Sequence, residues 1–151
     1  MKYFKFFIIN VIAFSLLFFL ISLLFPSQVV ITKTAAIAGT KEKVKEKLSN
    51  TADWKNWNQF INGDAVEKNN QKASDTMLLF SFRNNGDELL TSQFNFYNSD
   101  SSSVLLNWSL IEKLPWYKPW KKFKAMVLNK EMAAVMDTSL NTFKAQVEMA
   151  K

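Results

Sequence analysis

The feature that most limits how this chain can fold is an uncharged run near its N-terminus. From Phe6 to Phe25 the chain carries no charge, and only Asn10, Ser15 and Ser22 interrupt the apolar residues. Twenty residues of α-helix rise about 30 Å, which matches the hydrocarbon thickness of a bilayer. The run therefore predicts a single helix that spans a membrane.

A cleaved signal peptide is the alternative interpretation, and it would usually have a shorter apolar region that ends in a small-x-small cleavage site. Here the run ends in LLFP at Pro26, with no such site close by. We therefore predict a retained transmembrane anchor over residues 1–26 and a folded domain over residues 27–151. The lipid bilayer is then an expected partner.

The basic residues on either side of the run predict its orientation. Lys2, Lys5 and the terminal amine favour a cytoplasmic N-terminus, whereas Lys33, Lys41 and Lys43 lie beyond the other end. Because the residues nearest to the membrane carry the most weight, we expect a cytoplasmic N-terminus. In a bacterial cell the domain would then lie outside the inner membrane.

Composition excludes several kinds of functional site. The chain has no Cys and no His, which removes thiolate nucleophiles, disulfides and the commonest general base and metal ligand. The sequence contains no Gly-rich phosphate loop, nucleophile elbow or paired carboxylates. The net charge of +6 is small, and many acidic residues stand among the basic ones. This charge distribution does not favour nucleic acid as a partner. We predict no catalytic residue, no metal and no cofactor. An enzyme is the less favoured alternative, and it would require at least one inward-facing carboxylate with a shifted pKa.

The C-terminal stretch predicts one long helix from about Trp120 to Ala150. It has no Gly, and Pro119 stands where a first helical turn tolerates proline. Apolar residues recur at spacings of three and four, which places them on one stripe of the helix. The stripe consists of Leu128, Met132, Val135, Met136, Leu140, Phe143 and Val147.

The segments before this helix predict a sheet that covers its apolar stripe. Their alternation of apolar and polar residues is typical of strands, and Asn- and Gly-containing turns separate several of them. The expected strands are Val29–Ile37, a short one near Ala65–Lys68, Thr76–Asn84, Glu88–Asn98 and Ser103–Lys113. A helix over Lys41–Ser49, capped by Thr40, and a helical turn over Thr51–Trp57 follow the first strand. The chain is thus predicted to be α+β, with one long helix lying across an antiparallel sheet.

This order of elements, together with three local patterns, resembles the START-like helix-grip superfamily, also described as SRPBCC or polyketide cyclase/dehydrase-like. The patterns are IAGTKEKV at Ile37–Val44, DWKNW at Asp53–Trp57, and LNW at Leu106–Trp108 followed by the closing helix. The resemblance implies a helix-grip fold, in which an antiparallel sheet wraps around the C-terminal helix. Membrane-anchored bacterial members of that superfamily carry one N-terminal span.

The resemblance also implies a ligand cavity between the sheet and the helix. The superfamily usually has Pro where this chain has Gly39 or Thr40. It also usually has more strands than this chain, and because fewer strands enclose less space, we expect a smaller cavity here. The residues predicted to line it for a lipid or another hydrophobic small molecule are Phe80, Phe82, Phe94, Phe96, Trp108, Met132, Met136, Leu140 and Phe143. The alternative is a structural or interaction module in which the same residues form a filled core, with a protein partner that the sequence does not identify.

The segment WYKPWKKFK mixes aromatic and basic residues where the closing helix begins. Such residues suit the headgroup region of an anionic bilayer. Single-stranded nucleic acid would also accept rings beside cations, and a loop whose Trp rings pack inward is a third interpretation. We predict membrane contact through Trp116, Tyr117, Lys118, Trp120, Lys121 and Lys122.

Overall fold

The computed structural model of the chain describes residues 2–59, 67–84, 87–100 and 102–149. The helices and strands of these residues are, in chain order, α1 (Lys2–Leu23), β1 (Gln28–Ala38), α2 (Lys41–Ser49), β2 (Glu67–Ala73), β3 (Met77–Asn84), β4 (Asp87–Asp100), β5 (Ser103–Lys113) and α3 (Pro119–Met149). A 3-10 turn at Thr51–Asn56 follows α2. The predicted elements are present within a few residues of these bounds, except that the short strand expected near Ala65–Lys68 continues to Ala73 as β2. Residues 65 and 66 of that expected strand lie outside the described residues.

The strands form one antiparallel sheet in the order β1-β5-β4-β3-β2. Strands β2 to β5 are a meander, and β1 joins it at the edge beside β5. The face toward α3, here called the inner face, carries most of the buried apolar side chains of the sheet, and the register places Phe94 opposite Trp108. The α+β class and the helix-grip architecture predicted from the sequence are confirmed.

Helix α1 has the length and composition to cross a bilayer. It contains 22 residues, which corresponds to a rise of about 33 Å, and nearly all of its apolar side chains are exposed. A soluble helix with so many exposed Phe, Ile and Leu side chains would lose the free energy that their burial supplies. The helix is therefore one that can span a membrane.

The backbone angle of Gly39, between β1 and α2, excludes proline at that position. Its φ of 149° is a backbone angle that L side chains rarely adopt, whereas proline fixes φ near about −65°. The Gly39 amide also donates to the Ser102 carbonyl at 3.0 Å, and proline has no such donor. The hydroxyl of Thr40 then accepts from the Lys43 amide at 3.4 Å and caps α2 as predicted.

The core lies under residues 136–149, here called the distal half of α3. Trp57 packs against Phe143 with ring centroids 4.8 Å apart, and Phe94 stacks on Trp108 at 5.5 Å. Trp54 lies beside these rings, 5.5 Å from Trp57. All five side chains are buried, so aromatic rings fill the space between the sheet and this half of the helix.

Polar contacts fix the distal half of α3 to its neighbours on two sides. Asp137 forms an ion pair with Lys33 of β1, and the Glu148 carboxylate accepts from the Ala38 amide at 2.9 Å. On the other side, the Ser139 hydroxyl accepts from the Gln59 amide at 3.1 Å. These contacts set the position of the helix along β1.

The first turns of α3 are fixed to the C-terminal end of α1. Lys122 is only 2% exposed, and its ammonium donates to the carbonyls of Ser22 at 2.9 Å and Phe25 at 3.1 Å. The last carbonyls of a helix lack intrahelical partners, and a lysine side chain can satisfy them. The Phe123 ring stacks on Phe18 at 4.7 Å and meets Phe25 edge-on at 5.2 Å. Helix α3 is therefore held at both of its ends.

Two buried tryptophans provide a matched test of this core. The Trp54 indole N–H donates to the Leu48 carbonyl at 2.7 Å, whereas the Trp57 indole N–H is buried without a partner among the described residues. Trp54→Phe leaves a buried carbonyl without its donor, while Trp57→Phe removes an unsatisfied donor. An unpaired buried polar group costs about 1–3 kcal/mol. We therefore expect Trp54→Phe to lower the free energy of unfolding by that much more than Trp57→Phe in urea titrations of the detergent-solubilised chain. Equal losses would contradict this description.

Candidate functional site

A cavity of about 390 Å³ lies under the first half of α3, between that helix and the inner face of β1, β4 and β5. Small-molecule pockets in proteins measure roughly 300–1,000 Å³, so the cavity is at the small end of the range. The smaller cavity expected from the reduced number of strands agrees with this volume.

Most of the side chains around the cavity are apolar. Strand β1 contributes Val29 and Ile31, β4 contributes Leu90, and β5 contributes Leu110. Helix α3 contributes Trp120, Ala125, Leu128 and Met132, and the polar residues of the lining are Glu112, Lys121, Lys124 and Asn129. A lining of this kind favours an apolar ligand with a polar group at one end.

The register of the sheet explains why the cavity ends where it does. Ile31 lies opposite Leu110, and the next inward-facing position of β5 is Trp108. At the level of Trp108 and Phe94 the aromatic core begins, and it is closely packed. Toward the other end of the sheet, the side chains of Val29, Ile31, Leu90 and Leu110 take the place of aromatic rings, and they leave the space open.

The charged residues of the lining gather at the end of the cavity that is farthest from the core. Glu112 is next to the last residue of β5, and it lies opposite Val29 at the start of β1. Lys121 and Lys124 stand in the first two turns of α3. Burial raises the pKa of the Glu112 carboxyl, and the charges of the two lysines lower it by less. The cavity is therefore less favourable for the ionised carboxylate than water is.

The residues predicted to line a pocket occupy two environments. Met132 lines the cavity. The side chain of Phe82, which lies in β3, is outside the described residues. The remaining ones belong to the closely packed core, which contains Phe80, Phe94, Phe96, Trp108, Met136, Leu140 and Phe143. A ligand contact for these core residues stays a prediction.

The residues predicted to touch a membrane also divide into groups. Trp116, Tyr117 and Trp120 are 61%, 56% and 59% exposed, and Lys118 lies over the Tyr117 ring at 5.4 Å. The side chains of Trp120 and Lys121 also line the cavity. Lys122 is different, because its buried ammonium caps α1 as described above.

Sequence reasoning missed much of the actual lining, although some of it left a signal. The alternation that places Trp108 and Leu110 on the inner face continues to Glu112, so a carboxylate on an apolar face was visible in the sequence. Leu128 was on the predicted helical stripe. Val29 and Ile31 alternate on the first strand, but only the pairing of β1 with β5 brings them beneath α3.

The lining of the cavity suits the binding of an apolar ligand. Among the residues that the structure describes, no group of three or more acidic side chains is placed to hold a metal ion. Glu112 is the acidic residue of the cavity lining, and Lys121 and Lys124 are its basic residues. The apolar walls and the clustered charges suit a ligand held by burial and by electrostatic contacts.

Comparison with known proteins relates the chain to others by fold. No protein-family model and no curated protein matches its sequence. Among solved structures, the Aha1 dimer from Colwellia psychrerythraea matches with a TM-score of 0.60 and 13% identity, over 82% of this chain and 98% of that chain. A START superfamily protein from Mycobacterium smegmatis matches with a TM-score of 0.52 and 15% identity, over 81% and 99% of the two chains.

A third match extends the comparison to the aromatase/cyclases. The di-domain protein StfQ from the steffimycin biosynthetic pathway matches with a TM-score of 0.55 and 12% identity, over 82% of this chain. The match covers 52% of StfQ, about half of that two-domain protein. The identities are too low to transfer a substrate. Together these matches confirm the START-like, SRPBCC fold that the sequence patterns indicated.

The raised pKa of Glu112 gives a prediction with a definite sign. Between the ordinary value of 4.5 and the higher folded value, the folded chain binds more protons than the unfolded chain. The free energy of unfolding therefore falls as pH rises through this interval. We expect Glu112→Gln to be more stable than the unsubstituted chain above the folded pKa, with the difference shrinking toward pH 4.5. Urea unfolding at several pH values measures this, and parallel pH profiles for the two chains would contradict it.

Proposed function

We propose that this chain, which has the START-like helix-grip fold, is a membrane-anchored domain that binds a lipid or another hydrophobic small molecule. The ligand would occupy the cavity between the sheet and the first half of α3. The observation that carries the proposal is the position of this largely apolar cavity, beside the junction with the helix that can span a membrane.

The open space under the first half of α3 favours binding over a module with a filled core. If the fold served only as a scaffold, the side chains under the whole helix would be expected to fill the gap as closely as Trp57 and Phe143 do. Instead, Ala125 presents a single methyl group to the cavity, and the aliphatic Leu110 and Leu128 do not fill it. The apolar walls of a space this large are left exposed to water, which is unfavourable. A hydrophobic ligand would cover them.

The Lys122 contact supports a retained anchor. Removal of residues 1–26 would take away both carbonyls that accept from the Lys122 ammonium, so the folded domain uses this segment as part of its own structure. We therefore propose residues 1–26 as an anchor and residues 27–151 as the domain that it holds. The positions of Lys2 and Lys5 favour a domain outside the inner membrane of a bacterial cell.

The exposed aromatic residues at the start of α3 support contact with the bilayer. Trp116 touches Phe19 of α1, with ring centroids 6.1 Å apart, so it lies next to the end of the proposed span. Trp and Tyr side chains favour this depth because their rings are apolar and their N–H or O–H groups reach water. Trp120 also lines the cavity, which supports a cavity entrance at the membrane surface.

Two alanines on α3 allow a matched test of ligand binding. Ala125 lines the cavity, whereas Ala134 is exposed on the same helix. Ala125→Phe fills part of the cavity, so the ligand can bury less apolar surface there. We expect the affinity for an environment-sensitive fatty-acid probe to fall at least tenfold, which corresponds to a loss of about 1.4 kcal/mol or more of binding free energy. Ala134→Phe should bind the probe as the unsubstituted chain does.

Probe fluorescence measures the affinity, and mass spectrometry of lipid extracted from each purified variant provides a second measurement. Equal affinity of the two alanine variants would place the bound probe elsewhere. Reproducibly lipid-free protein that also fails to bind the probe would contradict the proposed function and favour the scaffold interpretation.

The proposed membrane contact can be tested by labelling. The chain has no Cys, so a fluorophore can be attached to a single introduced one. We expect a label on Tyr117→Cys to be quenched by brominated lipids in vesicles, because this residue would lie at headgroup depth. A label on Asn141→Cys, which is exposed near the other end of α3, should show little quenching. Similar quenching at the two positions would contradict the proposed contact.

A further inference from the structure

We propose that the ligand of this cavity is a single-chain amphiphile with an anionic headgroup, which Lys121 and Lys124 bind. This inference rests on the proposed function and names the class of ligand. The shared headgroup chemistry is that of a carboxylate or a phosphate monoester.

The cavity is polar at one end and apolar at the other, as an amphiphile requires. Lys121 and Lys124 stand at the end formed by the first turns of α3, where Lys124 is exposed. Leu110 and Met132 lie at the other end, against the aromatic core. A ligand would therefore enter with its chain first and leave its headgroup between the two lysines.

The charges of the lining favour an anion over a cation. Two ammonium groups face one carboxyl group there, and neither Lys121 nor Lys124 forms a salt bridge within the described part of the chain. Both therefore have N–H donors available for a headgroup. A headgroup near Glu112 would lie beside a carboxyl whose pKa is raised by burial, which favours its neutral form. When protonated, that carboxyl donates a hydrogen bond to an anionic oxygen instead of repelling it.

The size and position of the cavity favour one chain over two. Its volume of about 390 Å³ is close to the lower limit of roughly 300 Å³ for small-molecule sites. The closely packed level of Phe94 and Trp108 blocks extension toward the distal half of α3. Trp120, which is 59% exposed and also lines the cavity, lies where an amphiphile at a bilayer surface would enter.

Four ligands that share one chain separate the headgroup from the hydrocarbon. We suggest palmitic acid, hexadecyl phosphate, hexadecanol and hexadecylamine, each used to displace a fluorescent fatty-acid probe from the full chain in detergent at neutral pH. The acid and the phosphate are expected to bind at least tenfold more tightly than the alcohol, and the amine should bind weakest. Tighter binding of the phosphate than of the acid would identify a phosphate headgroup, and the reverse order a carboxylate.

Substitutions then assign the preference to named residues. The double variant Lys121→Met, Lys124→Met should lose most of the tenfold preference and still bind hexadecanol. Lys130→Met, an exposed lysine of α3 outside the lining, is the matched control and should keep the preference. Glu112→Gln should also bind the anions, because an amide can donate to them.

The outcomes distinguish this inference from the proposed function. Equal binding of the four ligands would overturn the anionic headgroup and leave a hydrophobic cavity in place. If the amine bound most tightly and Glu112→Gln abolished that preference, the Glu112 carboxylate would be the group that binds the headgroup. This result would also overturn the anionic headgroup. Displacement by none of the four, with no lipid in the purified protein, would contradict the proposed function itself. Circular dichroism of each variant confirms that it is folded.

Discussion

The packing of Phe143 against Trp57 holds the closing helix on the sheet and sets the distance between them. With Phe94 and Trp108 beneath, these rings make contacts with centroids 4.8 to 6.5 Å apart. Each aromatic pair contributes about 0.5–1.5 kcal/mol beyond the burial of its area. If α3 is straight, its distance from the sheet over these rings is nearly the same over the cavity. There the side chains between helix and sheet, such as Ala125, are smaller, so a cavity remains.

The cavity persists because α3 is attached on both sides of it. Beyond the cavity, Asp137 and Glu148 connect the helix to β1. Before it, the Lys122 ammonium and the Phe123 ring connect the helix to the end of α1. A segment free at one end could tilt toward the sheet and close the space, but a helix attached at both ends must bend to do so. The same contacts join the helix that can span a membrane to the entrance of the cavity.

Much of the fold was predictable from the sequence, because it depends on local patterns. The period of the apolar residues identified α3 and the strands, and Thr40 marked the start of α2. The cavity was harder to place, because periodicity shows which residues share a face but not how large a gap separates two faces. The burial of Lys122 was also not predictable from local sequence patterns. In the sequence it belongs with its exposed basic neighbours, and its burial depends on the carbonyl of Ser22, one hundred residues away.

The central claim is that an apolar ligand lies beneath residues 125–132 of α3. Nuclear Overhauser spectra of the full chain in perdeuterated detergent, with labelled methionine methyl groups and added palmitate, test it directly. The chain contains six Met residues, of which Met132 lines the cavity, Met136 is in the core and Met126 is exposed. We expect cross-peaks from the palmitate chain to the Met132 methyl group and none to Met126. Cross-peaks to Met126 alone, in a sample shown to contain bound palmitate, would contradict the claim.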